Sequence, residues 1–257
     1  MSVQTMCLAL TFCATIFLGA VVECIVYVKN GREANLGDFP WQVSIRDLSP
    51  SVHECGGVII SKSWVLTTGT CLKGVVNPLI STGTIDILNP GIVYEVGLIR
   101  NHPDYQQYSN SNDIALLKTR FDINFNDFTK SIPLTDDPVS AYNKGDLAGW
   151  GLDHYEAALY SKYLRMTEMT VMDSEVCRSL FSQKNVPLGG DQFCAGSAIT
   201  GACRGDEGGG FVSRRQNSDE ILLVGLISDN FCSLNNFPTA FTDVYFHREW
   251  IRNITGI

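Results

Sequence analysis

The chain has 257 residues, and its 19 lysines and arginines against 27 aspartates and glutamates give a formal net charge of −8 at pH 7. This acidic balance argues against a nucleic-acid-binding protein and against a basic membrane-surface patch. A chain of this length can bury a sizeable core, and it fits one large all-β domain as well as two small domains.

The chain begins with an apolar segment that predicts a secretory signal peptide. Residues 7–22 are apolar or small and carry no charge. The run is shorter than the roughly 20 residues that a membrane-spanning helix needs, and no second run of that length follows. Cleavage after Ala20 or after Cys24 is compatible with the small residues found there.

Cysteine parity favours the later cleavage. Six cysteines follow residue 24, and an even number in an exported chain indicates three disulfides, whereas cleavage after Ala20 would leave Cys24 unpaired. We therefore predict a signal peptide over 1–24 and a mature chain over 25–257. The six remaining cysteines are Cys55, Cys71, Cys177, Cys194, Cys203 and Cys232.

Short runs rich in β-branched and aromatic residues recur along the chain. Clear examples occupy 41–45, 56–61, 63–68 and 221–228, and turn residues such as Asn-Pro-Gly at 89–91 separate such runs. This spacing predicts β-barrels or a β-sandwich rather than alternating strands and helices.

Two helices are predicted as well. Asp173 or Ser174 can cap a short helix that continues to Leu180, and a C-terminal helix is expected from Asp243 to about Asn253. Asn253 also begins a glycosylation sequon, so a glycan near the C-terminus is possible.

The loop at 203–210, CRGDEGGG, combines tightly spaced glycines with two adjacent carboxylates, Asp206 and Glu207. Glycines serve where the backbone needs a positive φ or a close approach to another group. The loop is therefore predicted to be shaped around a site.

This loop resembles the GDSGGP nucleophile loop of the trypsin and chymotrypsin family of serine proteases. Other segments follow in the order of that family: WQVSI at 41–45, HECGGVIIS at 53–61, WVLTTGTC at 64–71, NDIALLK at 112–118, AGWG at 148–151, FCAG at 193–196 and DVYFHREWI at 243–251. The resemblance covers nearly all of the predicted mature chain and implies one trypsin-like domain over 25–257. It implies an all-β fold of two six-stranded antiparallel β-barrels with a cleft between them.

The same resemblance implies a disulfide pattern that spacing alone does not select. The implied pairs are Cys55–Cys71, Cys177–Cys194 and Cys203–Cys232.

In this family a serine attacks the peptide carbonyl, a histidine accepts its proton, and a buried aspartate orients the histidine. The matching positions here are Glu207 for the serine, Thr70 for the histidine and Asp113 for the aspartate. A threonine hydroxyl cannot accept and return a proton as imidazole does near neutral pH. A glutamate carboxylate is a poor acyl-transfer nucleophile. The resemblance thus implies a degenerate triad without catalytic residues.

The oxyanion loop corresponds to Gly205, Asp206 and Glu207, and the backbone N–H groups of Gly205 and Glu207 could still act as donors. In active relatives, a freed amino terminus pairs with the aspartate that matches Asp206. The predicted mature chain begins at Ile25, upstream of the segment that would insert. We therefore expect no ammonium at Asp206, and we expect His53 to pair with its carboxylate, as the matching histidine does in zymogens of the family.

The primary pocket also departs from the family pattern. Gly201 matches the base of the pocket and carries no charge, and Ser228-Asp229-Asn230 replaces the family's Ser-Trp-Gly. Asn230 and Thr239 both place a side chain where the family usually has glycine. We expect a narrowed or filled pocket that holds a substrate side chain poorly.

Other polar residues are given structural interpretations. Without a histidine beside it, Asp113 is expected to be a buried carboxylate satisfied by backbone donors. His102, His154 and His247 lie outside any ligand-like spacing and are expected to be surface or partly satisfied residues. Because the cysteines are expected to be paired, no thiolate remains for zinc, and neither a metal nor a cofactor is expected.

These observations favour a secreted, extracellular pseudoprotease that acts as a monomer by binding other extracellular proteins, such as components of protease cascades or host defence. The loss of the catalytic histidine and serine is similar to that in insect serine protease homologues and in inactivated mite paralogues related to group 3 allergens. Two alternatives remain: an endopeptidase with weak residual activity, and a hydrolase that uses Glu207 with Asp113 as a carboxylate pair.

Overall fold

A computed structural model describes residues 31–257, except 49–50, 142, 153–156, 197–199, 230–231, 233–236 and the side chain of residue 229. The predicted signal peptide and the expected mature terminus at Ile25 therefore lie outside the described residues, as do His154 and Asn230.

The N-terminal half forms a closed barrel of six antiparallel strands. A short strand β1 (Arg32–Glu33) precedes it. The barrel strands run in the spatial order β2-β3-β4-β7-β6-β5, and pairing of β5 with β2 closes the sheet. They are β2 (Gln42–Asp47), β3 (His53–Ile59), β4 (Trp64–Thr67), β5 (Pro78–Thr82), β6 (Ile92–Asn101) and β7 (Ala115–Thr119).

The second half forms a second closed barrel, in the order β8-β9-β10-β13-β12-β11, with β11 paired to β8. Strand β1 adds to this barrel by pairing with β9. Its strands are β8 (Lys144–Gly149), β9 (Arg165–Val171), β10 (Gln192–Gly196), β11 (Gly210–Arg214), β12 (Ile221–Asp229) and β13 (Thr239–Asp243). The two six-stranded barrels confirm the predicted fold.

Strand β2 shows how one strand serves both barrels. Side chains alternate between the two faces of a strand, so Val43 and Ile45 fill the core of the first barrel. Ser44 points away from that core and contacts His53, whose ring in turn reaches residue 205 of the second barrel. Both faces of β2 are therefore buried.

The two predicted helices are present, with different bounds. Helix α1 (Ser174–Gln183) is preceded by its N-cap residue Asp173, whose side chain accepts the backbone N–H groups of Glu175 and Val176. Helix α2 (Arg248–Thr255) begins later than predicted. Asp243 does not start it, because its carboxylate instead accepts the backbone N–H groups of Tyr245 and Phe246 and caps a separate turn.

Apolar side chains from both barrels and from α2 pack in one cluster at the junction. Its members include Val58, Leu66, Leu116, Leu223, Leu226 and Ile251. Burial of apolar surface between the barrels fixes their relative position. It thereby also fixes the position of the loops that meet at the junction.

All three disulfides implied by the resemblance are present: Cys55–Cys71, Cys177–Cys194 and Cys203–Cys232. Within the described ranges, neither helix has the length and apolar character needed to cross a bilayer. Asn253 is exposed on α2, and its glycosylation stays a prediction.

Candidate functional site

Asp113 lies at the centre of the junction, just before β7, and its side chain is fully buried. Its Oδ1 accepts the backbone N–H of Thr70 at 2.8 Å, and its Oδ2 accepts the hydroxyl of Ser228 at 2.6 Å. Burial raises the pKa of Asp113 to about 6, against the lowering effect of these donors. The expected buried carboxylate is confirmed, although one of its donors is a side chain.

Thr70 follows β4 and lies beside Asp113. Its hydroxyl is 3.0 Å from that of Tyr105, and the Tyr105 ring packs against Gly69. Neither hydroxyl accepts a proton at neutral pH as imidazole does. The base position predicted from the sequence therefore holds a neutral pair of hydroxyls next to the carboxylate.

The loop 203–210 owes its shape to glycine conformations. Gly205 and Gly208 have φ angles of 98° and 76°. A Cβ at Gly208 would lie 2.1 Å from the Thr67 hydroxyl oxygen, so a side chain cannot be accommodated there. The carbonyl of Glu207 accepts the N–H of Gly56 at 2.8 Å, which ties the loop to the first barrel.

The side chain of Glu207 turns back onto its own loop. Its Oε2 accepts the backbone N–H of Gly205 at 2.7 Å, and the residue is half-buried. This N–H is one of the two expected oxyanion donors. In the structure, a carboxylate of the chain itself therefore occupies that donor.

The Asp206 carboxylate is buried, and its partners are backbone groups. Its Oδ1 accepts the N–H of Gly151 at 2.7 Å and its Oδ2 that of Cys203 at 2.9 Å. A Cβ on Gly149 or Gly151 would lie within 2.5 Å of this carboxylate. The carboxylate therefore fits between these two positions only because both are glycine.

The predicted pairing of His53 with Asp206 is wrong. The His53 Nε2 lies 2.9 Å from the carbonyl oxygen of Gly205, and its Nδ1 lies 2.8 Å from the Ser44 hydroxyl. Burial lowers the pKa of His53 to about 4, so the ring is neutral and supplies no cation. Since a carbonyl only accepts, Nε2 carries the proton and Nδ1 accepts from Ser44.

The pocket residues are described in part. Gly201 and Ser228 are buried, and Thr239 is 1% exposed with its hydroxyl accepting the N–H of Ala202 at 3.4 Å. The Thr239 side chain thus lies between β13 and the Gly201 segment. Asn230 and the side chain of Asp229 lie outside the described residues, so a narrowed pocket stays a prediction.

Sequence reasoning missed three contacts at or near the site. Tyr105 lies 35 positions from its partner Thr70, and no local pattern links them. His247 is 2% exposed and pairs with the buried Asp191 at 3.2 Å, so it is satisfied and not a surface residue. An acidic side chain two residues after a turn glycine was the available signal for the contact between Glu207 and Gly205.

Two antiparallel barrels, a buried aspartate at their junction and a glycine-shaped loop between the barrels together define the chymotrypsin-like class of serine protease folds. The family model described as Trypsin matches residues 28–251. The chain therefore belongs to the trypsin family.

The chain is similar to several curated relatives. Hypodermin-A of Hypoderma lineatum is 28% identical over 247 residues, covering 95% of this chain and 93% of that protein. The clotting factor G beta subunit of Tachypleus tridentatus is 30% identical over 249 residues, covering 90% and 80% respectively. Ovochymase of Halocynthia roretzi is 30% identical over 239 residues, covering 87% of this chain, which spans only 15% of that relative.

The burial of Asp206 predicts a pH-dependent stability. Burial raises its pKa from 3.8 to about 7, so the native state holds this proton more tightly than the unfolded state. Its stabilising contribution is complete below pH 3.8 and is lost as the pH rises through about 7. Relative to Asp206→Asn, the unfolding free energy of the wild type should fall by roughly 2–4 kcal/mol between pH 4 and pH 8. Chemical denaturation across this range measures the difference, and parallel pH profiles would contradict it.

Proposed function

We propose that this member of the trypsin family is proteolytically silent and acts by binding. The observation that carries the proposal is the hydrogen bond from the Gly205 N–H to Glu207 Oε2 at 2.7 Å. Preorganised N–H groups of this kind stabilise the negative charge that develops on a substrate oxygen during acyl transfer. A resident carboxylate competes for the donor and repels that charge.

The lack of a base supports the same proposal. Thr70 and Tyr105 place hydroxyls beside Asp113, and neither takes the role of a general base at neutral pH. In serine proteases, loss of the base or the nucleophile costs on the order of a million-fold in turnover, about 8 kcal/mol in the activation barrier. Both roles are altered here.

A carboxylate-pair hydrolase is less well supported. Such an enzyme needs two carboxyl groups facing a substrate cleft. Asp113 is fully buried, and both its oxygens accept hydrogen bonds from the protein. It therefore does not face a cleft in which it could act with Glu207.

A secreted monomer that binds extracellular proteins agrees best with these features. Trypsin-like proteins with disulfides typically occur outside the cell, and three disulfides persist in oxidising compartments. We infer that the cleft between the barrels serves as a surface for a protein partner from a protease cascade or host defence. One relative is named as a clotting-factor subunit, which agrees with this partner class.

The proposed lack of proteolytic activity is tested directly on the predicted mature chain, residues 25–257. We expect background turnover on a broad fluorogenic peptide panel and no labelling by a fluorophosphonate probe, because neither Thr70 nor Glu207 supplies the activated serine that the probe requires. An active trypsin serves as the positive control. Turnover that disappears in Glu207→Ala would overturn the proposal, because it would assign the activity to this site.

Restoring the triad by mutation separates the effect of the missing triad residues from the effect of the predicted narrow pocket. The double variant Thr70→His with Glu207→Ser should recover little peptide cleavage, because the side chains of Asn230 and Thr239 are predicted to narrow or fill the pocket. Adding Asn230→Gly and Thr239→Gly should raise kcat/KM above that of the double variant. Robust cleavage by the double variant alone would contradict the predicted narrowing of the pocket. The wild-type chain's lack of activity would then be explained by the missing triad residues.

Binding is tested in the extracellular fluid of the source organism. The folded, immobilised mature chain should retain a defined extracellular protease, inhibitor or defence protein, and light scattering should give a monomer mass before binding. The matched control is the same chain reduced and unfolded. Equal retention by folded and unfolded chains would contradict a partner that recognises the cleft.

A further inference from the structure

The turn His102–Tyr105 begins the loop that joins β6 to β7. The His102 Nδ1 accepts the backbone N–H of Asp104 at 3.2 Å, and the His102 carbonyl accepts the N–H of Tyr105 at 3.1 Å. An Nδ1 that accepts a hydrogen bond carries no proton. The closed turn therefore requires a neutral His102, with its proton on Nε2.

The surroundings of His102 also oppose a positive charge. Its ring centroid lies 5.4 Å from that of His247 and 5.1 Å from that of Trp250. Asp104 and Asp191 face it as well, and their carboxylates favour the charged form. Burial and the proximity of His247 outweigh them and hold the pKa of His102 below its usual value.

The far end of this loop is anchored at Asp191, and the Asn112 side chain links it to the first turn by donating to the Asp104 carbonyl at 3.3 Å. The buried Asp191 accepts the Ser111 hydroxyl at 3.0 Å, the Asn112 N–H at 2.6 Å and a bond from His247 at 3.2 Å. These contacts join the loop to the second barrel and to the start of α2. Opening caused by His102 is therefore expected to break the bond from Asn112 to Asp104 while the contacts with Asp191 hold the far end of the loop in place.

That first turn carries a residue of the candidate site. The Tyr105 ring covers Gly69, and its hydroxyl lies 3.0 Å from that of Thr70. Movement of the turn therefore changes the cleft wall beside Asp113.

We propose that His102 is a proton-sensitive switch: in mildly acidic solution it takes up a proton at Nδ1, the turn His102–Tyr105 opens, and the Tyr105 hydroxyl leaves Thr70. Protonation turns Nδ1 of His102 from a hydrogen-bond acceptor into an N–H donor, which then faces the backbone N–H of Asp104. It also places a positive charge on His102 beside the ring of His247. This switch goes beyond the proposed function, since it is a property of the folded chain and is measured without a partner or a substrate.

Hydrogen exchange tests the switch. The opened turn binds a proton with the ordinary histidine pKa near 6.5, whereas the closed turn excludes it. After correction for intrinsic rates, opening at the amides of Asp104 and Tyr105 should rise by up to about thirtyfold from pH 7.5 to pH 5.0. In His102→Gln, an amide oxygen can still accept the Asp104 N–H and cannot be protonated, so this pH dependence should disappear.

Two further measurements complete the test. Tyr105→Phe removes the contact with Thr70 but keeps the turn, so its exchange should retain the pH dependence of the wild type. An NMR titration of the His102 ring in the wild type should give a pKa below 6.5, which His247→Gln should raise. Equal corrected exchange at both pH values, the same acid opening in His102→Gln, or a His102 pKa at or above 6.5 would overturn the proposal.

Discussion

The burial of the Asp206 carboxylate is the constraint on which the site depends. A buried carboxylate without partners would cost several kcal/mol, and here two backbone N–H groups, from Gly151 and Cys203, satisfy it. The carboxylate fits because residues 149 and 151 lack side chains. The loop 203–210 is thereby held between the second barrel's β8 segment and the Cys203–Cys232 disulfide. Its conformation needs no cation from the described part of the chain.

With Asp206 fixed, the peptide groups of Gly205 are held on both sides. Glu207 accepts its N–H, and the neutral His53 donates to its carbonyl. Ser44 completes the chain of hydrogen bonds by donating to His53, so strand β2 of the first barrel anchors a loop of the second. Networks of satisfied buried polar groups make a structure more rigid. The loop therefore keeps the form of a catalytic site while its own side chain occupies the donor.

The fold that holds this loop does not depend on the side chains at positions 70 and 207. Apolar packing at the barrel junction and three disulfides do not involve Thr70 or Glu207. Asp113 likewise remains buried through bonds to Thr70 N and Ser228. The residues at the positions that the resemblance assigns to the base and the nucleophile can thus vary without loss of the architecture. A trypsin fold alone does not establish proteolysis, because function resides in the site.

The strand patterns of the sequence by themselves determined an all-β class, because such patterns are carried by local sequence. The two barrels, the disulfide pairs and the burial of Asp113 followed from the resemblance of its ordered motifs to the family. The sequence did not determine the partner of Asp206, the start of α2, or the contacts of Tyr105 with Thr70 and of Asp191 with His247. Each of these depends on the direction in which one polar side chain points after distant segments meet. Even the Glu207 contact with a glycine two residues away depends on the positive φ of Gly205. Only the tertiary structure decides such contacts, because a carboxylate accepts whichever donors the packed backbone places within about 3 Å of it.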